Sequence, residues 1–126
     1  MSTDATALTA AQYRSRFSVP ANFDRELVGA LSGYPVDEVY GKLPDDGISG
    51  GRPRYMATPV SSRRFEEYVG LLGSHGIAFN YLLNGACFGN AEWTRAWQRK
   101  ITLLLGRLGD MGVNRLTVST PFLLEL

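Results

Sequence analysis

From residue 16 onward the apolar positions switch between two periods, a spacing of two over short runs and of three or four over longer ones. The run "RFSVPA" reads as a short strand and "NFDRELVGALSG" as the helix behind it. Asn22 is placed as its N-cap, Phe23, Leu27 and Leu31 lie at helical spacing, and Gly33 is the stop. "PVDEVYGKL" reads as a second strand. A long loop, "PDDGISGGRPRYMATP", leads to a helix capped by Ser61, along which Phe65, Tyr68, Val69 and Leu72 form one apolar stripe. Val60 stands where it can staple onto Phe65. Gly76 ends this helix and "IAFNYLLN" is the third strand. Trp93, Trp97, Ile101, Leu104 and Leu108 predict a longer third helix ending near Gly112, both tryptophans packing against the sheet. "VNRLTVST" is a fourth strand, and "PFLLEL" opens a further helical turn with Pro121 at its first position. Residues 1–15, rich in Ala, Thr and Ser, read as a flexible leader, which leaves 16–126 as the domain.

Strand–helix alternation with short glycine links back to the next strand predicts a parallel α/β sheet with crossover helices. Inner strands of a doubly wound sheet are apolar on both faces, and these are not. In the third strand Ile77, Phe79, Tyr81 and Leu83 share one parity, whereas Ala78, Asn80, Leu82 and Asn84 share the other. In the second, Val39 and Leu43 oppose Glu38, Tyr40 and Lys42; in the fourth, Leu116 and Val118 oppose Arg115, Thr117 and Ser119. One face suits a helix layer. The other suits the partly polar interior of a β/α barrel, with Asn80 and Asn84 pointing inward; plain exposure of that face to solvent is the alternative. Four strands are about half of an eight-stranded barrel. The sequence also stops at Leu126 in an apolar segment, so the expectation is a half-barrel, truncated or completed by self-association or a partner subunit.

Composition narrows the classes. With 126 residues, 44% hydrophobic and 20% charged, one ordinary globular domain is expected. A net charge of +1 argues against nucleic acid as a partner, and the Arg52, Arg54, Arg63 and Arg64 run reads as a solvated loop and first helical turn. No apolar run reaches the about 18–20 residues of a membrane span. Nor does the N-terminus have the pattern of a secretory signal, so the expected location is the cytoplasm. Cys87 is the single cysteine, which excludes an internal disulfide and any cysteine-built metal cluster.

In a barrel, sites gather where strands end and the following loops begin. Those positions are Asn22, Tyr40, Gly41, Lys42, Asn84, Cys87, Ser119 and Thr120. Asn22, Tyr40, Lys42, Asn84 and Ser119 are the expected substrate contacts: Lys42 can neutralise a carboxylate or phosphate, and Asn84 can donate to a carbonyl. Cys87 needs a base to serve as a nucleophile. The lone histidine, His75, precedes the third strand and lies at its opposite end, so it reads as a helix-terminal cation or cap. Asp45 and Asp46 could hold a metal or a cationic substrate, although "PDDG" is also ordinary turn chemistry. The "SGG" run lacks the lysine and helix of a phosphate loop.

Taken together, "VDEVYGKL", the Gly/Arg loop, "FEEYVGLLGSHGIAFNYLLN" and "LGDMGVNRLTVSTP" resemble the opening of the collagenase-like peptidases, peptidase family U32, over residues 17–125. Tyr40 and Gly41 match its "VYG" pattern, and Asn84 matches its strand-end asparagine. The resemblance implies a TIM-type barrel with hydrolase-like activity on a peptide or another polar substrate, of which this chain would be the amino-terminal half, incomplete alone. Some relatives are similar to Fe–S-dependent hydroxylation factors, whose cluster rests on four later cysteines. Those are not present here, so no cofactor is carried over. The alternative function is a non-catalytic half-barrel module for binding or assembly.

Overall fold

The computed structural model describes residues 15–126 apart from Ser49 and Arg52, with only the backbone of Arg54. The expected leader therefore lies, save for Ser15, outside the described residues. Four strands, β1 (Phe17–Pro20), β2 (Val36–Gly41), β3 (Ala78–Leu83) and β4 (Arg115–Val118), form one sheet in the order β1-β2-β3-β4, every neighbouring pair parallel. Between them run α1 (Arg25–Leu31), α2 (Ser62–Ser74) and α3 (Arg95–Asp110). This is an α/β fold with the barrel-like strand order expected of consecutive β/α units.

Sequential order and crossovers of one hand bring the helices to one side of the sheet. Burial follows that geometry. Val28 of α1, Phe65 to Leu72 of α2 and Trp97 to Leu108 of α3 close over Val39, Phe79, Tyr81 and Leu83 in one core. Phe65 is its hub, with ring centroids 5.1 Å from Phe79, 5.8 Å from Tyr81 and 6.0 Å from Phe23. Along β3 burial alternates residue by residue, so Phe79, Tyr81 and Leu83 are buried while Ala78, Asn80 and Leu82 are only half-buried. Asn80 thus faces away from the helices, as the parity of the strand predicts.

Two local expectations change. Asn22 is not the cap of α1; Asp24 is, its Oδ1 accepting the Glu26 N–H at 2.9 Å, while Asn22 accepts the Asp24 N–H one step earlier. Phe23 lies ahead of the helix at φ 58°, so the apolar period starts elsewhere: Val28 is buried and Leu27 is 37% exposed. The tryptophans also divide. Thr94 caps α3 through the Trp97 N–H, which leaves Trp93 in a preceding 3-10 turn, 66% exposed, while Trp97 joins the core. The other caps stand as read. Ser61 Oγ accepts the Arg64 N–H, and Gly76 and Gly112 adopt φ +71° and +95° behind α2 and α3. No helix among the described residues is long and apolar enough to cross a membrane.

Candidate functional site: a cleft at the strand ends and a polar ladder beneath it

Where β1, β2 and β3 end, the long loop that follows β2 borders the strand ends, and Lys100 of α3 donates to its Gly47 carbonyl at 3.1 Å. A cleft of ≈1010 Å³ opens there, bordered by Ala21, Tyr40, Lys42, Gly51, Met56 and Asn84 among others. Three of the expected contacts, Tyr40, Lys42 and Asn84, meet in it, and Gly41 joins them. Asn22 and Ser119 sit at the ends of the flanking strands, outside its lining. The Ser119 hydroxyl donates to the Gly85 carbonyl at 2.6 Å, tying the end of β4 to the loop after β3.

The loop is held by a clamp that sequence spacing does not reveal. Asp46 has a side chain with no solvent exposure and receives three donors: Lys42 Nζ at 2.9 Å, the Ile48 N–H at 2.8 Å and the Tyr81 hydroxyl at 2.5 Å. Tyr81 in turn accepts the Leu43 N–H at 3.1 Å, and Lys42 also donates to the Ile48 carbonyl at 2.6 Å. Burial, and then the adjacent Asp46 carboxylate, push the Tyr81 phenol far above its ordinary pKa, so it stays a donor. Lys42 is thereby engaged within the chain. Asp46 is the residue that the "PDDG" turn conceals. Its detectable signal was Tyr81 itself, on the apolar parity of β3, since a buried phenol must find a partner.

Glycines let the loop come close. A Cβ at Gly50 would meet Lys42 Cδ at 2.8 Å, and one at Gly51 would meet Asn84 Nδ2 at 3.2 Å. The Gly51 N–H donates to Asn84 Oδ1 at 3.1 Å, so Asn84 anchors the cleft wall as well as lining it. At the end of β2, a Cβ at Gly41 would press on Ala21 Cβ at 3.0 Å, which gives the "VYG" glycine a packing reason. The Tyr40 hydroxyl has no hydrogen-bond partner among the described residues.

Beneath the cleft, polar groups on the same face cross all four strands. Glu38 Oε1 accepts from Ser18 Oγ at 2.8 Å and Asn80 Nδ2 at 3.1 Å; its Oε2 accepts from Arg115 at 3.0 Å; and Thr117 donates to Asn80 Oδ1 at 2.9 Å. Arg115 also reaches Asp37 at 2.6 Å, with Arg16 at 3.5 Å on the other oxygen. The Asn80 hydrogen bond foremost, with Ser18 and Arg115 behind it, holds the Glu38 carboxyl below its ordinary range against the opposing effect of burial. Asn80 is therefore a link of this ladder.

The remaining candidates do not converge. His75 is the C-cap of α2 and precedes β3, whereas exposed Cys87 follows β3 and accepts the Gly89 N–H at 3.1 Å. The strand lies between them. Among the described residues no group of three or more His, Cys, Asp or Glu side chains is placed to hold a metal ion.

No protein-family model matches the sequence, and no curated protein does. Among solved structures the chain is similar to a U32 peptidase, Mk0906, with a TM-score of 0.65 and 17% identity over 94% of this chain. The match covers 44% of that peptidase, so the chain spans less than half its length. At such identity the likeness is one of fold.

Proposed function

We propose that this chain is the substrate-binding portion of a peptidase-like β/α barrel and takes an extended peptide, or another polar chain of similar width, in the cleft at the strand ends. The observation that carries the reading is the cleft itself. It lies where barrel enzymes bind their substrates, with a wall fixed by a buried ion pair and close glycine contacts. Asn84 and Tyr40 supply the groups that fix orientation: the Asn84 amide NH₂ faces a substrate carbonyl, and the Tyr40 hydroxyl serves as donor or acceptor. Lys42, committed to Asp46 and Ile48, keeps one N–H for a substrate oxygen. Asn22 and Ser119 flank the cleft and extend contact along a longer substrate. Hydrolysis calls for further groups from a second half, in line with the separation of Cys87 from His75.

The test is Asn84→Leu. The Gly51 N–H loses one partner at an exposed position, so stability falls by no more than about 1 kcal/mol while peptide affinity is lost. A large loss of stability with affinity unchanged in the folded protein would make Asn84 a purely structural amide and remove the reading.

A second reading has its own observation. Both edge strands carry exposed apolar side chains, Phe17 on β1 and Leu116 on β4. A second copy related by a two-fold axis would pair each β4 with the other's β1 and close eight strands. Light scattering distinguishes a discrete dimer, which this assembly predicts, from a monomer, which it excludes.

A further inference from the structure

A second cavity, of ≈520 Å³, is walled by the loop that follows β2, the start of α2 and one side of α3. Its lining divides by chemistry. Leu43, Val60, Leu103 and Leu104 form an apolar part, within which Leu103 is 65% exposed. Lys100 and Arg107, both from α3, form the cationic part. Neither meets a carboxylate among the described residues: Lys100 Nζ donates to the Gly47 carbonyl at 3.1 Å, and Arg107 reaches across to the Ser62 hydroxyl at 3.3 Å. Neutral oxygens satisfy such cations less well than a carboxylate does. Of the acidic residues in the lining, Asp46 is compensated by Lys42 and its side chain is closed to solvent, while Asp45 stands on the wall shared with the cleft. The first turn of α2 adds no acidic residue, and it carries Arg63 and Arg64. Positive charge therefore outweighs negative around this cavity, next to a strip of apolar surface.

We propose that the cavity binds a small carboxylate with an apolar body. The Arg107 fork takes both carboxylate oxygens, and Lys100 adds a point charge. The Ser62 hydroxyl, released from Arg107, is free to donate as well, and Leu43, Val60 and Leu103 cover the body. Asp45 on the shared wall favours a singly charged head over a doubly charged phosphoryl group. The volume fits, since small-molecule sites run to about 300–1,000 Å³. This site is separate from the cleft and does not depend on the peptide reading given above.

Benzoate is the probe, titrated while the backbone amide signals of Ser62 and Leu103 are followed by NMR, with benzamide as its neutral counterpart of the same shape. Both signals move saturably with benzoate, and benzamide binds at least about tenfold more weakly. Arg107→Gln and Lys100→Gln each weaken benzoate by about five- to tenfold. Their melting temperatures stay close to that of the native chain, because both side chains are exposed. Arg99→Gln, which removes an exposed arginine of the same helix outside the lining, leaves the affinity unchanged. Inorganic phosphate binds more weakly than benzoate, having nothing to set against the leucines. Signals unmoved at about 20 mM benzoate would overturn the site. So would benzamide or phosphate binding as tightly as benzoate, or an equal loss of affinity in Arg99→Gln, the mark of diffuse surface charge.

Discussion

Replacing Asp46 with alanine probes the clamp that gives the cleft its wall. The substitution removes the acceptor of three donors, the Tyr81 hydroxyl, the Ile48 N–H and the Lys42 ammonium, whose side chain is 16% exposed. Removing one partner of a buried ion pair costs about 3–5 kcal/mol because a charge is left without compensation. Here the lower end applies, since Lys42 keeps the Ile48 carbonyl and a small window to water. The expected loss is therefore about 3 kcal/mol, a large share of the stability of a domain this size. Urea unfolding at neutral pH measures it, with linear extrapolation and an unchanged slope as the check that both proteins unfold in the same way. Asp46→Asn, which keeps an oxygen for Tyr81, falls between the two. A loss under about 1 kcal/mol for Asp46→Ala, the value of an exposed pair, would refute the reasoning, because the carboxylate would then be solvated and the loop held by other contacts.

Other predictions follow from named groups. Glu38 has a lowered pKa in the folded state, so its contribution is present above the unfolded glutamate value of about 4.3 and is lost as pH falls through the folded value. Glu38→Gln should flatten the acid limb of the stability curve while leaving the alkaline limb unchanged. Tyr81 has a raised pKa, and burial pushes Tyr68 up to about 12. Their contribution is complete below the unfolded tyrosine value of about 10 and is lost as pH rises beyond it. Tyr81→Phe should accordingly show a shallower alkaline loss in a pH series of thermal melts. Gly47 sits at φ +73° with Lys100 against it; Gly47→Ala should cost about 1–2 kcal/mol, and Gly47→Asn less, both read by chemical denaturation.

How far these features were legible in the chain follows from the range of the contacts involved. Phe65, Tyr68, Val69 and Leu72, like Ile101, Leu104 and Leu108, announce their helices because packing against a sheet needs one face at period 3.6. The alternation of β3 announces which of its side chains leave the core. Short segments say less. Seven residues of α1 hold too few turns for a period to choose between Leu27 and Val28, and Asp24 and Asn22 are equally good caps by type. The 3-10 turn before α3 likewise borrows the spacing of the helix, so Trp93 reads as core until Thr94 is seen to cap. The clamp and the ladder lie beyond local pattern altogether. Asp46 and Tyr81 are 35 residues apart and Glu38 and Arg115 are 77 apart, brought together only by strand register. What the chain did show is the need for such partners: a tyrosine on an apolar parity, and asparagine and glutamate on strands of a covered sheet.

The central claim is that the strand-end cleft, rather than the edges or the helix layer, receives the substrate. Amide chemical-shift mapping with an unstructured, unlabelled peptide tests it most directly. Shifts are expected to concentrate at Gly41, Gly51 and Asn84, with the ends of β1 and β2 following and the outer surfaces of α2 and α3 silent. Shifts confined to the helices or to the opposite ends of the strands, or none at saturating peptide, would contradict it.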